Sequence, residues 1–346
     1  MDTGVPRPVT HDFASGIPRI RLDFLAGHGS NRSAMRKRMG NLSFSTGSGL
    51  VAILLWSTTI ALARSLSEQL GPLTAAASVY LCGGVLCLIR FFWAGTPLNR
   101  LLKLPRNYLL GCGFLFVLYT VLLYLAVGLA ADREQAIEIG LVNYLWPAST
   151  ILLSVPLLKK RASLFLWPGT VLALTGVFLV MTQSGSMSWE SFFNHVKSNP
   201  AAYGLAFFAA LSWALYSNLT RLWSGSGNDG AVELFIPVTG LVLLAMRLWS
   251  NEPTVWNAQA VVEAGLLGAI TALAYALWDL AMRKGDLVLV ATGSYFTPLL
   301  STLVGCVYLK VAPSPKLWIG CALLVAGSLV TWRSVSEPAP SEAEDG

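Results

Sequence analysis

Charge is scarce in this chain. Only 12% of its 346 residues are Asp, Glu, Lys or Arg, about half the ~25% of an ordinary soluble domain. A water-soluble enzyme needs a more charged surface, and a disordered chain needs high charge with few apolar residues, the reverse of this composition. Histidine is nearly missing: His11, His28 and His195 all lie outside the apolar runs. Buried His chemistry within an apolar segment is therefore not expected, which excludes an intramembrane serine protease. The five cysteines (Cys82, Cys87, Cys112, Cys306, Cys321) form no C-x-x-C pair, so they read as small packing residues rather than a zinc site or disulfide framework. There is no G-x-x-x-x-G-K-[ST] sequence, hence no ATP-driven motor in this chain. No Lys or Arg stands in the middle of an apolar run, although a phosphate or nucleotide carrier would want such cations there.

What is abundant is hydrophobicity: 54% of residues are apolar and the mean hydropathy is +0.60. Ten apolar segments are each near the ~20 residues that cross a bilayer: 48–66, 72–94, 107–131, 135–157, 164–183, 200–222, 230–250, 258–282, 286–309 and 315–333. In lipid the backbone must satisfy its own hydrogen bonds, so the segments are predicted to be helices and the fold all-α and integral to a membrane. Residues 1–45 are polar and read as a disordered tail. Residues 334–346 read as a loose acidic tail. The first long run follows the basic stretch Arg36-Lys37-Arg38 and has no cleavage signature after it, unlike a signal peptide. The longest connection, 184–199, carries Trp189, Phe192, Phe193 and Val196 at helical spacing. It predicts a short amphipathic helix on the membrane surface.

The net charge of +6 reflects Lys and Arg gathered in the short loops, so topology explains it better than a nucleic-acid partner. With the N-terminus inside, fifteen Lys or Arg flank the inner face and six the outer. That asymmetry predicts both termini in the cytoplasm, and places the 184–199 linker on the periplasmic side.

The two halves echo each other at an offset of 151. Tyr144 answers Tyr295, Pro147 answers Pro298, and Tyr124 answers Tyr275. Leu166-Trp167-x-Gly169 answers Leu317-Trp318-x-Gly320. Near the start of each half, Trp56-Ser57 answers Trp213-Ala214 at a slightly different offset. Five crossings per half is odd, so the second copy (200–333) enters from the opposite side to the first (46–183). The halves are then inverted repeats around a central cavity, the architecture that alternating access uses.

Leu55-Trp56-Ser57-Thr58 behind a basic flank resembles the EamA branch of the drug/metabolite transporter superfamily. The stretches Gln135–Pro147 and Ala291–Pro298 resemble, more narrowly, the bacterial aromatic amino-acid exporters within it. The likeness runs from about 46 to 333. It implies a ten-helix basket in the bacterial inner membrane that exports aromatic and other small neutral amino acids, threonine and methionine among the wider candidates. It implies no enzymatic activity and no cofactor or metal. Export of other small metabolites or drug-like amines stays open as an alternative, as does a non-transporting membrane scaffold. A single copy with an internal cavity suffices for transport.

The expected substrate-binding residues are the aromatics set within the helices, with Asn143: Trp56, Tyr80, Tyr119, Tyr124, Tyr144, Trp146, Trp213, Tyr216, Tyr275, Trp278 and Tyr295. Away from the interfacial belts, Tyr and Trp need partners for their polar ends. A wall of their faces would suit a flat apolar side chain and receive an ammonium by cation–π attraction. Two acids stand within apolar runs. Glu138 is read either as a cavity or proton-coupling acid or as an interfacial carboxylate beside Arg133. Asp279 is read either as a cavity acid or as half of an i,i+4 pair with Arg283. They lie at opposite depths, which excludes an aspartyl protease dyad. Energy coupling remains open between proton antiport through Glu138 and facilitated diffusion. Pro147 and Pro298 free the carbonyls of Asn143 and Ser294 four residues earlier, which predicts hinges.

Overall fold

A computed structural model describes residues 43–93, 103–182, 189–225, 230–309 and 315–336. The expected tails up to residue 42 and beyond 336, and linker residues 183–188, lie outside the described residues. The fold is all-α apart from one two-residue strand pair. Pro72–Trp93, Asn107–Gly128, Glu134–Leu157, Ala258–Lys284 and Pro315–Ser334 are long and apolar enough to cross a membrane, and Leu166–Met181 and Leu287–Ser301 are shorter apolar helices. The protein is an all-α membrane protein.

Each apolar segment read from the sequence coincides with a helix or a broken pair. The first half contains α1 (Phe44–Leu70), α2 (Pro72–Trp93), α3 (Gly113–Gly128, entered through a π-turn at Asn107–Cys112), α4 (Arg133–Asn143), α5 (Trp146–Leu157) and α6 (Leu166–Met181). The linker forms α7 (Trp189–Ser198). The second half contains α8 (Pro200–Trp223), α9 (Val232–Leu248), α10 (Ala258–Lys284), α11 (Leu287–Gly293), α12 (Phe296–Leu309) and α13 (Pro315–Ser334). Strands β1 (Arg161–Ala162) and β2 (Val335–Ser336) pair antiparallel.

Local chemistry sets the boundaries. Ser43, Asp132, Asn199, Asn257 and Asp286 each cap a helix, accepting a backbone N–H with the side-chain oxygen, as short polar residues do at N-caps. Gly71 turns α1 into α2 at φ +81°, a left-handed value that suits a residue without Cβ. Across this turn Glu252 accepts from the N–H groups of Leu73 (2.8 Å) and Thr74 (2.9 Å), satisfying the first turn of α2 from the α9–α10 loop.

The fourth and ninth segments are each broken in two, at Tyr144-Leu145 and at Ser294-Tyr295. Both breaks fall just before a proline, Pro147 and Pro298, whose ring would clash with the carbonyl one turn earlier. The expectation that Ser294 presents a freed carbonyl needs correction: that oxygen accepts from Thr297 N–H at 3.0 Å. The backbone tightens around the break and closes the gap.

Packing between the halves is specific. α1 lies on α10 and α3 on α8; α2 lies on α9, α5 on α11 and α6 on α13. The α6–α13 contact brings backbone against backbone. A Cβ at Gly176 would fall 2.5 Å from Leu324 N, and one at Gly327 would fall 2.2 Å from Ala173 N, so only glycine permits this approach.

Candidate substrate cavity and its aromatic floor

Spacing along three helices places one face of each on a common space. α1 contributes Trp56, Thr59, Ala63, Leu66 and Ser67; α2 contributes Ala75, Ala76, Val79 and Tyr80; α10 contributes Leu267, Thr271 and Tyr275, with Tyr124 from α3. These offsets of three and four residues are those of a helix face. The cavity between them measures about 150 Å³. A cavity of about that size accepts a benzene ring elsewhere. From Trp56 to Ser67 it follows α1 for roughly 16 Å toward the α1–α2 turn, at 1.5 Å per residue. No lining residue carries a formal charge.

Beneath it lies a cluster of rings from five helices, α1, α3, α5, α8 and α10. Trp56 meets Trp213 at 5.9 Å, Tyr275 at 5.5 Å and Trp278 at 5.2 Å between centroids. Trp146 meets Trp278 at 5.3 Å and Trp213 at 6.3 Å. Tyr119 and Tyr216 stack near Trp213 at 4.7 and 5.0 Å. Such tilted and edge contacts each contribute roughly 0.5–1.5 kcal/mol beyond burial. Trp213, only 2% exposed, is the hub. Phe116 was not anticipated; it meets Tyr275 at 4.8 Å, Tyr216 at 5.5 Å and Trp213 at 6.0 Å. It carries no polar group, and nothing in the sequence separates it from other membrane phenylalanines.

The candidate residues thus divide. Trp56, Tyr80, Tyr124 and Tyr275 line the cavity. Tyr119, Trp146, Trp213, Tyr216 and Trp278 lie in the floor. Tyr144 sits half-buried in the α4–α5 break and Tyr295 fully buried in the α11–α12 break, and neither makes a ring contact among the described residues. Asn143 closes α4 at its break, and its Oδ1 is buried with no partner among the described residues, as are Trp278 Nε1 and the Tyr295 hydroxyl.

Neither acid lines the cavity. Asp279 is 2% exposed; Arg283 Nε donates to its Oδ2 at 2.7 Å, the pairing their spacing predicts. Tyr108 (2.8 Å) and Tyr216 (3.4 Å) donate to its Oδ1, joining α10 to the entry of α3 and to α8. Glu138, fully buried, faces the linker helix: His195 Nδ1 is 3.2 and 3.1 Å from its two oxygens, and Tyr203 donates to Oε2. The side chain of Arg133, its expected neighbour, lies outside the described set. His195 is outside the apolar runs in sequence, yet the docking of α7 carries it onto a buried carboxylate. Among the described residues, no three His, Cys, Asp or Glu are grouped to hold a metal ion.

Comparison with known proteins places this geometry. The aromatic amino acid exporter YddG of Escherichia coli (strain K12) is 36% identical over 285 residues, 82% of this chain and 95% of that protein. The YddG of Ancylobacter novellus is 32% identical over 287 residues, 82% and 94% of the two chains. A solved crystal structure at 30% identity superposes with a TM-score of 0.69 over 84% of this chain and 98% of its own. The pattern of the EamA-like transporter family matches residues 46–182 and again 200–333. The chain is therefore a transporter, not an enzyme, and belongs to the EamA-like transporter family.

Proposed function

We propose that this protein exports aromatic and other small neutral amino acids across a bacterial inner membrane by alternating access. The observation that carries the reading is the uncharged, aromatic-floored cavity of about 150 Å³, large enough for a benzene ring. The names of the relatives point the same way.

The ten segments form two inverted five-helix repeats. What supports this is the exchange rule in the packing. Second helix lies on second helix (α2 on α9), fourth on fourth (α5 on α11) and fifth on fifth (α6 on α13), while first and third swap (α1 on α10, α3 on α8). A two-fold relation between the halves generates that set, and an odd number of crossings puts its axis in the membrane plane. With the termini in the cytoplasm, the cavity occupies the outer half, because it extends toward the α1–α2 turn. The floor and the Asp279–Arg283–Tyr108–Tyr216 network close the inner half. Export then requires the two repeats to rock so that the floor parts and the outer half shuts. The aromatic set, Asn143 and the residues of the two breaks act as substrate-contacting and hinge positions in that cycle. One copy is a complete transport unit.

The test is efflux from proteoliposomes loaded with labelled Phe, Trp and Thr. Phe and Trp are expected to leave faster than from protein-free vesicles. A folded protein that moves neither would end this reading. Glu138→Gln assayed with and without a pH gradient tests proton coupling, since the substitution removes the one charge and keeps the shape. Unchanged gradient dependence removes Glu138 as the coupling group.

A further inference from the structure

A chain of hydroxyl groups runs from the bundle interior to the cavity, and one assignment of its protons satisfies every contact from the buried end outward. The Phe116 carbonyl can only accept, and Thr120 Oγ1 donates to it at 3.1 Å. A hydroxyl has one proton and two lone pairs. With the proton of Thr120 spent on Phe116, the 3.4 Å contact between Tyr80 and Thr120 Oγ1 is a hydrogen bond only with Tyr80 as the donor. In the assignment that makes every one of these contacts a hydrogen bond, Tyr275, 2.7 Å away, donates to Tyr80. Tyr275 ends the chain with its proton spent and, among the described residues, no donor to its lone pairs, and it lines the cavity. Each bond in such a chain polarises the next and strengthens it.

Two further lining hydroxyls lean the same way, while Tyr124 and Thr271 also bring hydroxyls to the lining. Thr59 donates to Trp56 O at 2.8 Å and Ser67 to Ala63 O at 2.8 Å. Both turn only their oxygen to the cavity. With no carboxylate in the lining, hydroxyl oxygens are the side-chain acceptors available to a donor.

We propose that Tyr275, held as an acceptor by the Tyr80–Thr120–Phe116 chain, is a specificity-determining residue that selects solutes presenting an N–H or O–H donor to it. The proposal rests on the reading of this cavity as the transport site. The donor has two sources: the ring substituent of Trp or Tyr, or the ammonium that all amino acids share. Phe116 and Thr120 do not touch the cavity and act as positioning residues.

The experiment measures efflux efficiencies in proteoliposomes of the full chain for Trp, 1-methyltryptophan, Tyr, Phe and 3-phenylpropionate, and reads only ratios between solutes. Loss of one uncharged hydrogen bond is expected to change a ratio about fivefold. If the donor is on the ring, the unsubstituted protein favours Trp over 1-methyltryptophan and Tyr over Phe by that factor. Both ratios then fall to near one in Tyr275→Phe and in Thr120→Val, which frees the proton of Tyr80 from outside the cavity. If the donor is the ammonium, those two ratios hold and the ratio of Phe to 3-phenylpropionate falls about tenfold or more in both variants, because the bond lost is to a charged group. Thr120→Val carries the test alone should Tyr275→Phe not fold. All three ratios unchanged in Thr120→Val would overturn the proposal and leave the transport reading standing. An unsubstituted protein that moves none of the solutes would overturn both.

Discussion

Trp213 shows how much rests on one side chain. It touches Trp56, Phe116, Tyr119, Trp146, Tyr216, Tyr275 and Trp278 through ring contacts. Truncation removes every one of them and leaves a void in the floor. Trp213→Ala is expected to destabilise the protein by about 3–5 kcal/mol, read as a lower unfolding temperature in detergent. Trp213→Phe should cost less, because a ring remains. An equal loss in the two variants would show that indole-specific contacts hold the floor. At this scale the sequence was informative about type and silent about direction. An aromatic within a membrane helix announces itself, but whether it faces the cavity or the floor depends on the rotation of its helix. Phe116 illustrates the limit, since its role comes wholly from its neighbours.

At the scale of elements, α7 was expected as a short amphipathic helix, but its polar attachment to the bundle was not. Its stripe of Phe192 and Val196 was legible, and both pack with Tyr203, Ala202 and Ile139. Its polar ties to the bundle are His195 against buried Glu138 and Ser191 donating to Glu134 at 3.0 Å. His195→Ala removes a partner from a carboxylate that has no access to water, an effect of roughly 1–3 kcal/mol. We expect faster hydrogen exchange across Trp189–Ser198 in that variant, with little change in α13. Unaltered protection of α7 would mean that the apolar stripe and the Ser191 contact hold it without His195. The α6–α13 pair makes the opposite case, where small residues let backbones meet. Gly327→Ala would force a Cβ to within 2.2 Å of Ala173 N and is expected to cost about 1–3 kcal/mol through overpacking, measured in the same melts. The sequence gives these glycines no distinction from others such as Gly204, whose added Cβ would meet nothing within 4 Å.

For the molecule as a whole, the two-fold exchange of helix partners makes a topological prediction. Asn251, exposed in the α9–α10 loop, and Lys284, at the far end of α10, should lie on opposite faces of the membrane. In a cysteine-free background, Asn251→Cys should react with an impermeant thiol reagent added outside intact cells. Lys284→Cys should react only after the membrane is opened. The reverse pattern would invert the orientation, and labelling of both from outside would defeat the span of α10.

The sequence by itself determined that the chain is a bundle of membrane helices in two related halves, because apolar runs near 20 residues satisfy their backbone in lipid as helices rather than as the shorter strands of a barrel, and because duplication leaves matched residues at one offset. It also determined that the two prolines interrupt their helices, since the ring clash is local. Only the tertiary structure decided which aromatics line a cavity and which plug it, that Glu138 answers to a linker histidine, and that a hydroxyl chain points its acceptor end at Tyr275. Those outcomes depend on how helices far apart in the chain rotate and dock. A hydrogen bond between Tyr80 and Tyr275 spans 195 residues, and no local pattern encodes it.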